Sequence, residues 1–424
     1  MSNIMKDSGI EWIGQIPEDW KVSKLKSNFS FEKGKNAAQY TQEYIGENEG
    51  EYPVYSGQTE NNGIMGKINS YDYDLKECVF STTVGAKVMT PRYLQGKFSL
   101  SQNCLIMVQQ TDYVCKLLYY VLLPLFSYEK TLIPTHMQPS LRFSDLKKYF
   151  LPLPSITEQQ KIVDYLDKKC GKIDDVIDNQ KQIIEKLKEY KQSVITETVT
   201  KGLNPNTPMK DSGIEWIGQI PQHWEVKKLK HIVAKIYKGS GITKDDIVQD
   251  GDISCVRYGE IYTKYKYHFD KCYTKTDISK VKAPSFFAYG DILSVTTGEL
   301  IEEIGKSVVY LGNEKCLAGG DIVVMKHSQH PVFMGYAMDS EYIQSQKSFG
   351  KIKLKVVHIS GYALKNLIVA KPPFSEQKEI ADYLDKKCVE IDNAIGQKEE
   401  TITKLEEYKK SLIYECVTGK REVA

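Results

Sequence analysis

From Thr157 the segment TEQQKIVDYLDKKCGKIDDVIDNQKQIIEKLKEYKQSVITETVTKG places apolar side chains every three or four residues. With Leu166 at heptad position a, the a column holds Leu166, Ile173, Gln180, Leu187 and Val194. The d column holds Ile162, Lys169, Val176, Ile183 and Tyr190. An apolar seam of period 3.5 predicts a long helix that pairs as a coiled coil. Thr157 with Gln160 reads as a capping box at its start, and Gly202 followed by LNPNTP reads as its stop. A second such segment near the C-terminus has Leu384, Ile391, Lys398, Leu405 and Leu412 at a, with Ile380, Ala394 and Tyr408 at d. The polar a residue recurs at the matching place, Gln180 in one and Lys398 in the other, and polar a residues set register at some loss of stability. The pattern predicts two helices of about 40 residues pairing antiparallel over roughly 60 Å, at 1.5 Å per residue.

Outside these helices the period changes. Residues 27–150 read as short strands between glycine-bearing turns (EYPVYSGQTENNGIMGKI, CVFSTTVGAKVM, FSLSQNCLIMV) followed by a helical DYVCKLLYYVLL. Residues 231–368 follow the same plan and end in PVFMGYAMDSEYIQSQK. Each is a mixed module of strands and helices, which makes the chain α+β.

The order module, helix, module, helix is underlined by repetition. MKDSGIEWIGQIP stands at residues 5–17 and again at 209–221, and the match continues through Trp20 with Trp224 to Lys26 with Lys230. DYLDKKC stands at 164–170 and 382–388, and at the same offset of 218 KLKEYKQSVITETVT matches KLEEYKKSLIYECVT. The offset grows from 204 to 218 across the fillings, so the frame is duplicated while the fillings have diverged. A period near 200 residues is a duplicated domain with its helix and not a solenoid. The division is a first globular domain at 1–156, a central helix at 157–203, a linker and second domain at 204–374, and a C-terminal helix at 375–424, with pseudo-twofold symmetry.

Composition changes this picture little. The chain has 424 residues, 41% hydrophobic and 26% charged, as in an ordinary globular protein of two domains. Its apolar runs are too short for a membrane span, and the first residues lack a secretory pattern, so a cytosolic protein with no membrane partner is expected. Nine cysteines, with no C-x-x-C pair and no zinc spacing, read as reduced buried thiols. A net charge of +2 leaves the question of a nucleic-acid partner to local patches.

Two such patches stand out. Arg257–Lys282 carries five tyrosines among its lysines, and as a strand it would set Lys264 and Lys266 on one face and Tyr265 and Tyr267 on the other. GKIKLKVVHIS likewise sets Lys351, Lys353 and Lys355 opposite Ile352, Leu354 and Val356. The first module supplies Gln58, Asn61, Asn62, Lys67, Lys87, Arg92, Gln102, Asn103, His136, Gln138 and Arg142. Such side chains suit phosphate contact and base-edge hydrogen bonding.

Reaction-centre motifs fail on inspection. KPPF at 371–374 has lysine, a donor only, where an amino-methyltransferase motif needs an acceptor. Under the 218 offset it is the lead-in to the second helix. IGKS at 304–307 would need glycine at 300 to complete a phosphate loop, and Leu300 stands there. HSQH at 327–330 has no third metal ligand nearby.

LPLPSITEQQKIVDYLD at 151–167 and AKPPFSEQKEIADYLD at 370–385, each preceded by an opening of the form IPEDWKVSKL or IPQHWEVKKL, resemble the DNA specificity subunit of Type I restriction-modification systems. The resemblance covers essentially the whole chain, with Lys371 in place of Leu153 and Ser375 in place of Thr157 as departures. It implies a subunit without catalysis of its own, in the cytoplasm of a bacterium or archaeon. Two target recognition domains would each read half of a bipartite double-stranded DNA sequence, and the paired helices would fix the spacer between the halves. Partners implied are two methyltransferase subunits and, in the full complex, restriction subunits; S-adenosylmethionine, ATP and Mg would belong to those partners, with no cofactor bound by this chain. By position, the DNA-contacting residues expected are Gln58, Asn61, Asn62, Lys87, Arg92, His136, Gln138 and Arg142 in the first module. In the second they are Arg257, Tyr258, Lys264, Lys266, Thr297, Lys306, Lys351 and Lys353. Two other classes compete: a stand-alone two-headed DNA-binding regulator and a coiled-coil scaffold that binds no DNA.

Overall fold

The first long helix runs Ile156–Lys201 and the second Phe374–Val417 in the computed structural model, which describes residues 4–57, 60–85, 87–134, 136–301, 303–352 and 357–423. The start of the first helix differs from the Thr157–Gln160 expectation. Ser155 Oγ accepts from the Glu158 amide at 3.3 Å, and Gln160 turns forward to Asp164 at 2.8 Å. The proline-bearing strand Phe150–Leu153 and Pro154 deliver the chain extended up to Ser155, so the cap falls two residues earlier. At the far end Gly202 takes φ +76° and its amide bonds Thr198 O, as a helix-stopping glycine does.

The seam also needs correction on one side. Leu166 and Ile173 of the a column are buried, with Leu384, Ile391 and Leu412 in the second helix, while Gln180, Leu187, Val194, Lys398 and Leu405 are half-buried. Of the expected d column, Ile162 and Ile380 are buried and Ala394 is half-buried, whereas Lys169, Val176, Ile183, Tyr190 and Tyr408 are exposed. The partner column lies four residues after a, at Cys170, Ile177, Ile184 and Lys191, and at Cys388 and Ile395 in the second helix. Apolar residues flank the a stripe on both sides, at three and at four residues. The heptad alone therefore fixes the first column and leaves two choices for the second.

The chain divides into two compact units, one of residues 1–181 with 399–424 and one of residues 182–398. Each long helix thus contributes one half to each unit. In the first unit the half ending at Lys181 lies antiparallel to the C-terminal half of the second helix. Tyr165 bonds Arg421, and Asp174 takes Lys409 Nζ at 2.6 Å. In the second unit Lys191 Nζ meets both Asp392 oxygens at 2.9 Å, and Ile195 and Val199 share a core with Ala381, Leu384 and Cys388. Asp174 and Asp392 are 218 apart, as are Lys191 and Lys409, so the two units carry the same ion pair with the helices exchanged.

The module of the first unit is a six-stranded sheet in the order Phe29–Lys33, Cys104–Gln109, Tyr73–Thr82, Pro91–Leu100, Glu49–Tyr55, Ile64–Ile68. Helix Cys115–Thr131 covers one face, burying Leu117, Leu118, Val121, Leu122 and Leu125 in the core shared with Val79, Leu105 and Met107. The second module has a five-stranded sheet, Val233–Lys238, Ile322–His327, Ile292–Val295, Ser307–Tyr310, His268–Phe269, and a four-stranded one. Its helical stretch divides into Pro331–Met338 and Glu341–Ser348. The basic segment after Arg257 is not the strand expected. It forms a short helix, Tyr258–Thr263, and then two short strands, His268–Phe269 and Thr274–Thr276, with Tyr265 buried and Lys264 and Lys266 exposed between helix and strand.

The repeated phrase folds identically in both units. Residues 5–7 pair with 15–17, and 209–211 with 219–221, each loop held by Asp7 or Asp211 accepting from the glycine amide two residues on. This hairpin receives the end of a long helix. A Cβ on Gly202 would lie 3.1 Å from the Trp224 ring, and one on Gly419, at φ +70°, would lie 2.3 Å from Pro17 and 3.1 Å from the Trp20 ring. At both positions the backbone conformation strains any side chain, and at Gly419 there is no room for one, whereas at Gly202 the Trp224 ring would have to give by a few tenths of an ångström.

Candidate nucleic-acid interface

Two buried glutamines tie each module to its helix. Gln159 Oε1 accepts the Val114 amide at 2.8 Å and its Nε2 donates to Pro154 O at 3.0 Å. Gln377, 218 residues on, accepts the His330 amide at 2.9 Å and donates to Pro372 O at 2.9 Å. Val114 and His330 are the residues that open the module helices, so each glutamine satisfies an amide that helix geometry leaves unpaired. An aspartate just over two turns along binds a tyrosine of the same module helix: Tyr120 donates to Asp167 at 2.6 Å and Tyr336 to Asp385 at 2.8 Å. Burial raises both phenols above their usual range, followed by the Asp167 carboxylate at Tyr120 and by Cys388 and then the Asp385 carboxylate at Tyr336. Asp385, opposed by burial, is still held below the ordinary carboxylate range by hydrogen bonds from His268 and Tyr336. These motif residues therefore position the modules. Sequence reading found the motif but not this role.

In the first unit two groups of loop residues carry the polar candidates. Thr83 and Val84 meet the segment before the short helix Phe143–Leu146 through a bridge from Val84 to Ser140 and a 2.8 Å bond from the Leu141 amide to Thr83 O. Lys87, His136, Gln138 and Arg142 stand exposed on these two loops. After burial, Lys87 is the neighbour that lowers the affinity of Lys130 for its proton, so this edge concentrates positive charge. A second group forms where Asn61, Asn62 and Gly63 take φ of 46°, 55° and 76°. The Arg92 guanidinium packs there, 3.1 Å from where a Gly63 Cβ would stand. Gln58 and Lys353 lie outside the described residues.

The second unit repeats the loop arrangement with other side chains. Thr297 and Gly298 pair with Val357 and His358, as Val84 pairs with Ser140, and the short helix Gly361–Lys365 follows, capped by Ser360. Between them is a cleft of about 630 Å³ whose lining includes Lys238, Thr297, His358, Tyr362 and Lys365. Tyr362 is 79% exposed and Thr297 Oγ1 lies 3.3 Å from His358 Nδ1. Of these, sequence reasoning named only Thr297. Matching STTVG at 81–85 with SVTTG at 294–298 would have led to the rest, because those strings open the two loops.

The other residues named in the second module are held by the protein. Lys266 Nζ donates to Asp392 at 2.8 Å, and Lys264 reaches Glu260 at 3.2 Å and sits over the Tyr273 ring at 5.0 Å. Lys306 donates to Tyr262 O at 3.2 Å and Lys351 to His358 O at 2.7 Å. Arg257 is half-buried ahead of the exposed Tyr258. These do not join the cleft as one cluster.

Among the described residues no three His, Cys, Asp or Glu side chains gather to hold a metal, and no helix is long and apolar enough to cross a membrane. Residues 17–196 and 221–407 both match the model of the Type I restriction modification DNA specificity domain. The chain belongs to that family. The Type I restriction enzyme MjaVIII specificity subunit of Methanocaldococcus jannaschii is 24% identical over 96% of this chain and 94% of its own length. A putative type I specificity subunit of Mycoplasma pneumoniae is 33% identical over 36% of this chain and 51% of its own. A chain solved in work on complex assembly and conformational transition of the type I R-M system shares the fold at TM-score 0.70 and 13% identity, covering 96% of this chain and 99% of that one. In a specificity-domain protein, two matched regions correspond to two modules, each mounted on its own glutamine and aspartate.

Proposed function

We propose that the chain is the non-catalytic sequence-reading subunit of a Type I restriction-modification complex. Each unit reads one half of a bipartite duplex target, the first through the loops bearing Lys87, Arg92, Gln138 and Arg142, the second through the cleft of Thr297, His358, Tyr362 and Lys365. The frame docks two methyltransferase subunits and, through them, restriction subunits. S-adenosylmethionine, ATP and Mg are bound by those partners. The complex works in the cytoplasm of a bacterium or archaeon.

The observation that carries this reading is the contrast between the two kinds of residue. Positions that mount the modules are the same in both units (Gln159 and Gln377, Asp167 and Asp385), while the loops in corresponding places carry different side chains. Identical partners require like frames, and unlike half-sites require unlike loops. The test is a map of methylated adenines in host DNA with the gene present and deleted, the methyltransferase subunits being retained. One bipartite motif should lose methylation on deletion. An unchanged map in cells that express the complex would refute the reading and turn attention to a stand-alone regulator. Grafting residues 27–150 from a relative should alter one half of the motif only.

A further inference from the structure

Three lysines recur at one place in both units. Lys24-Leu25-Lys26 and Lys228-Leu229-Lys230 stand 204 positions apart, and Lys147 and Lys365 stand 218 apart. The two offsets meet because strand Lys21–Lys24 pairs with Phe150–Leu153 and Glu225–Lys228 with Ile368–Lys371. At the end of each pair the Leu25 amide donates to Tyr149 O at 2.9 Å and the Leu229 amide to Leu367 O at 2.7 Å. Leu25 and Leu146 in one unit, and Leu229 and Leu364 in the other, are fully buried, while the six lysines flanking them are all exposed.

Duplication alone would leave the neighbouring surface alike as well, and it is not alike. Lys21, Ser23, Ser27 and Lys148 of the first unit correspond to Glu225, Lys227, His231 and Asn366 of the second. Nor does the fold use the charges. Lys227 and Lys371, in the same strands, reach Glu225 at 3.6 and 3.5 Å, but none of the six lysines makes an ion pair with a described carboxylate. Asp145, on the short helix beside Lys147, turns back to accept the Arg142 amide at 2.9 Å. Like charges gathered without a counter-charge hold a positive potential that an anion from outside relieves.

Position says which anion. Lys147 ends the short helix that Arg142 begins, five residues on, or about 7 Å at 1.5 Å per residue. Lys365 lines the cleft of Thr297 and Tyr362 together with Lys238, and the one carboxylate in that lining is Asp321. The lysines therefore stand beside the reading loops in both units. Two half-sites of different sequence have the sugar-phosphate backbone in common, and that is what identical side chains can hold on both. We infer that Lys24, Lys26 and Lys147, and equally Lys228, Lys230 and Lys365, are phosphate clamps that fix the duplex backbone against each unit whatever its sequence. Within the cleft this gives Lys365 the backbone and leaves Thr297, His358 and Tyr362 to the bases. The inference rests on the DNA-reading function proposed above and adds to it where the backbone lies.

The test titrates the complex with its methyltransferase subunits against two labelled duplexes, at salt from about 50 to 200 mM. One duplex carries the motif found by methylation mapping and the other has both half-sites scrambled. Each phosphate contact adds about 0.9 to the slope of log affinity against log salt. The triple variant Lys24→Gln, Lys26→Gln, Lys147→Gln should therefore have a slope shallower by about 2–3, so that wild type loses about 40-fold more affinity than the variant across that range. Both duplexes should be affected alike, with the methylated motif unchanged. Lys228→Gln, Lys230→Gln, Lys365→Gln should give the same change, and the corresponding arginine triples should keep the wild-type slope. An unchanged slope in variant complexes that still bind the motif duplex would overturn the inference and leave the reading function standing. Loss of the methyltransferase subunits from the variants on gel filtration would also overturn it, by assigning the lysines to a protein interface. A wild-type complex that binds neither duplex would refute the reading function itself.

Discussion

Trp12 and Trp216 sit at the same place in identical thirteen-residue phrases, yet Trp12 is 7% exposed and Trp216 39%. The hairpins beneath them are alike, so the difference comes from what each module lays over the frame. In the first unit the helix Cys115–Thr131 runs eleven residues past Tyr120, far enough for Tyr128 to hydrogen-bond Glu11, and Trp12 joins the core. In the second, the matching helix ends at Met338, two residues past Tyr336, and Trp216 has an edge contact with the exposed Phe349. The frame thus specifies where a module is attached. How much of the frame the module covers depends on the module's own helix length, and this is how one scaffold carries unrelated fillings.

The largest test of that division concerns the attachment points. Gln159→Leu and Gln377→Leu each leave an amide and a proline carbonyl without their buried partner, at roughly 1–3 kcal/mol per group. Each should therefore lower stability by about 2–5 kcal/mol, as read by denaturant unfolding. Equal losses would support equivalent mounting in both units. A loss in only one would break the comparison.

The modules should show the opposite behaviour, with effects confined to one half-site. Arg142→Ala in the first unit and Tyr362→Ala in the second should each relax one position of the methylated motif, worth about 1–3 kcal/mol of discrimination, and leave the other half unchanged. Lys87→Ala should weaken binding to all sequences and lessen its salt dependence. Methylation mapping and binding at several salt concentrations separate these outcomes.

The helices, the duplication and the a column were legible because each is a local pattern that its own residues spell out. Three things were not. The second seam column depended on which apolar flank found a partner. The ion pair of Lys266 depended on Asp392, 126 residues away, so a lysine that reads as a phosphate contact also carries a salt bridge within the chain. The mounting role of Gln159 depended on a single amide at Val114. Partners remote in sequence are set by the fold, and no spacing rule encodes them. The loops around Thr83 and Thr297 fell between, visible as paired short strings only once sheet register aligned them.

A pH experiment sharpens the contrast between the two cores. Among the described residues the buried lysines, Lys191 and Lys347, both belong to the second unit. Lys347 Nζ donates to Met338 O at 2.7 Å and Ser307 Oγ at 3.3 Å, and burial pushes its pKa down from 10.5 to about 8. A lysine whose folded pKa lies below its unfolded value binds its proton more tightly when unfolded. Its stability penalty is complete below about pH 8 and is relieved as pH rises toward 10.5. Between pH 7.5 and 9.5 wild type should gain roughly 1–2 kcal/mol relative to Lys347→Met. A constant difference in melting behaviour across that range would mean that burial does not depress the lysine's pKa and that it stays charged in the folded chain.

The smallest effect lies in the ion pair that both units share. Asp392 holds Lys191, whose side chain is 10% exposed, and Lys266 as well; burial opposes its charge, but the two lysines keep its pKa below the ordinary range. Asp174 holds Lys409 alone, at 52% and 27% exposure. Asp392→Ala leaves an enclosed ammonium without a counter-charge and should cost about 1–2 kcal/mol, less than a fully buried pair because the aspartate itself is partly solvated. Asp174→Ala breaks a pair that water and salt already screen and should cost no more than about 0.5 kcal/mol. The same residue at the same point of a duplicated helix would then differ in weight because of its surroundings alone. Raising ionic strength should shrink the Asp174 effect further and leave the Asp392 effect nearly intact, since the Lys191 end is shielded from ions. Equal effects in both units would show that the segment carrying Lys266 adds nothing to the helix pair it covers.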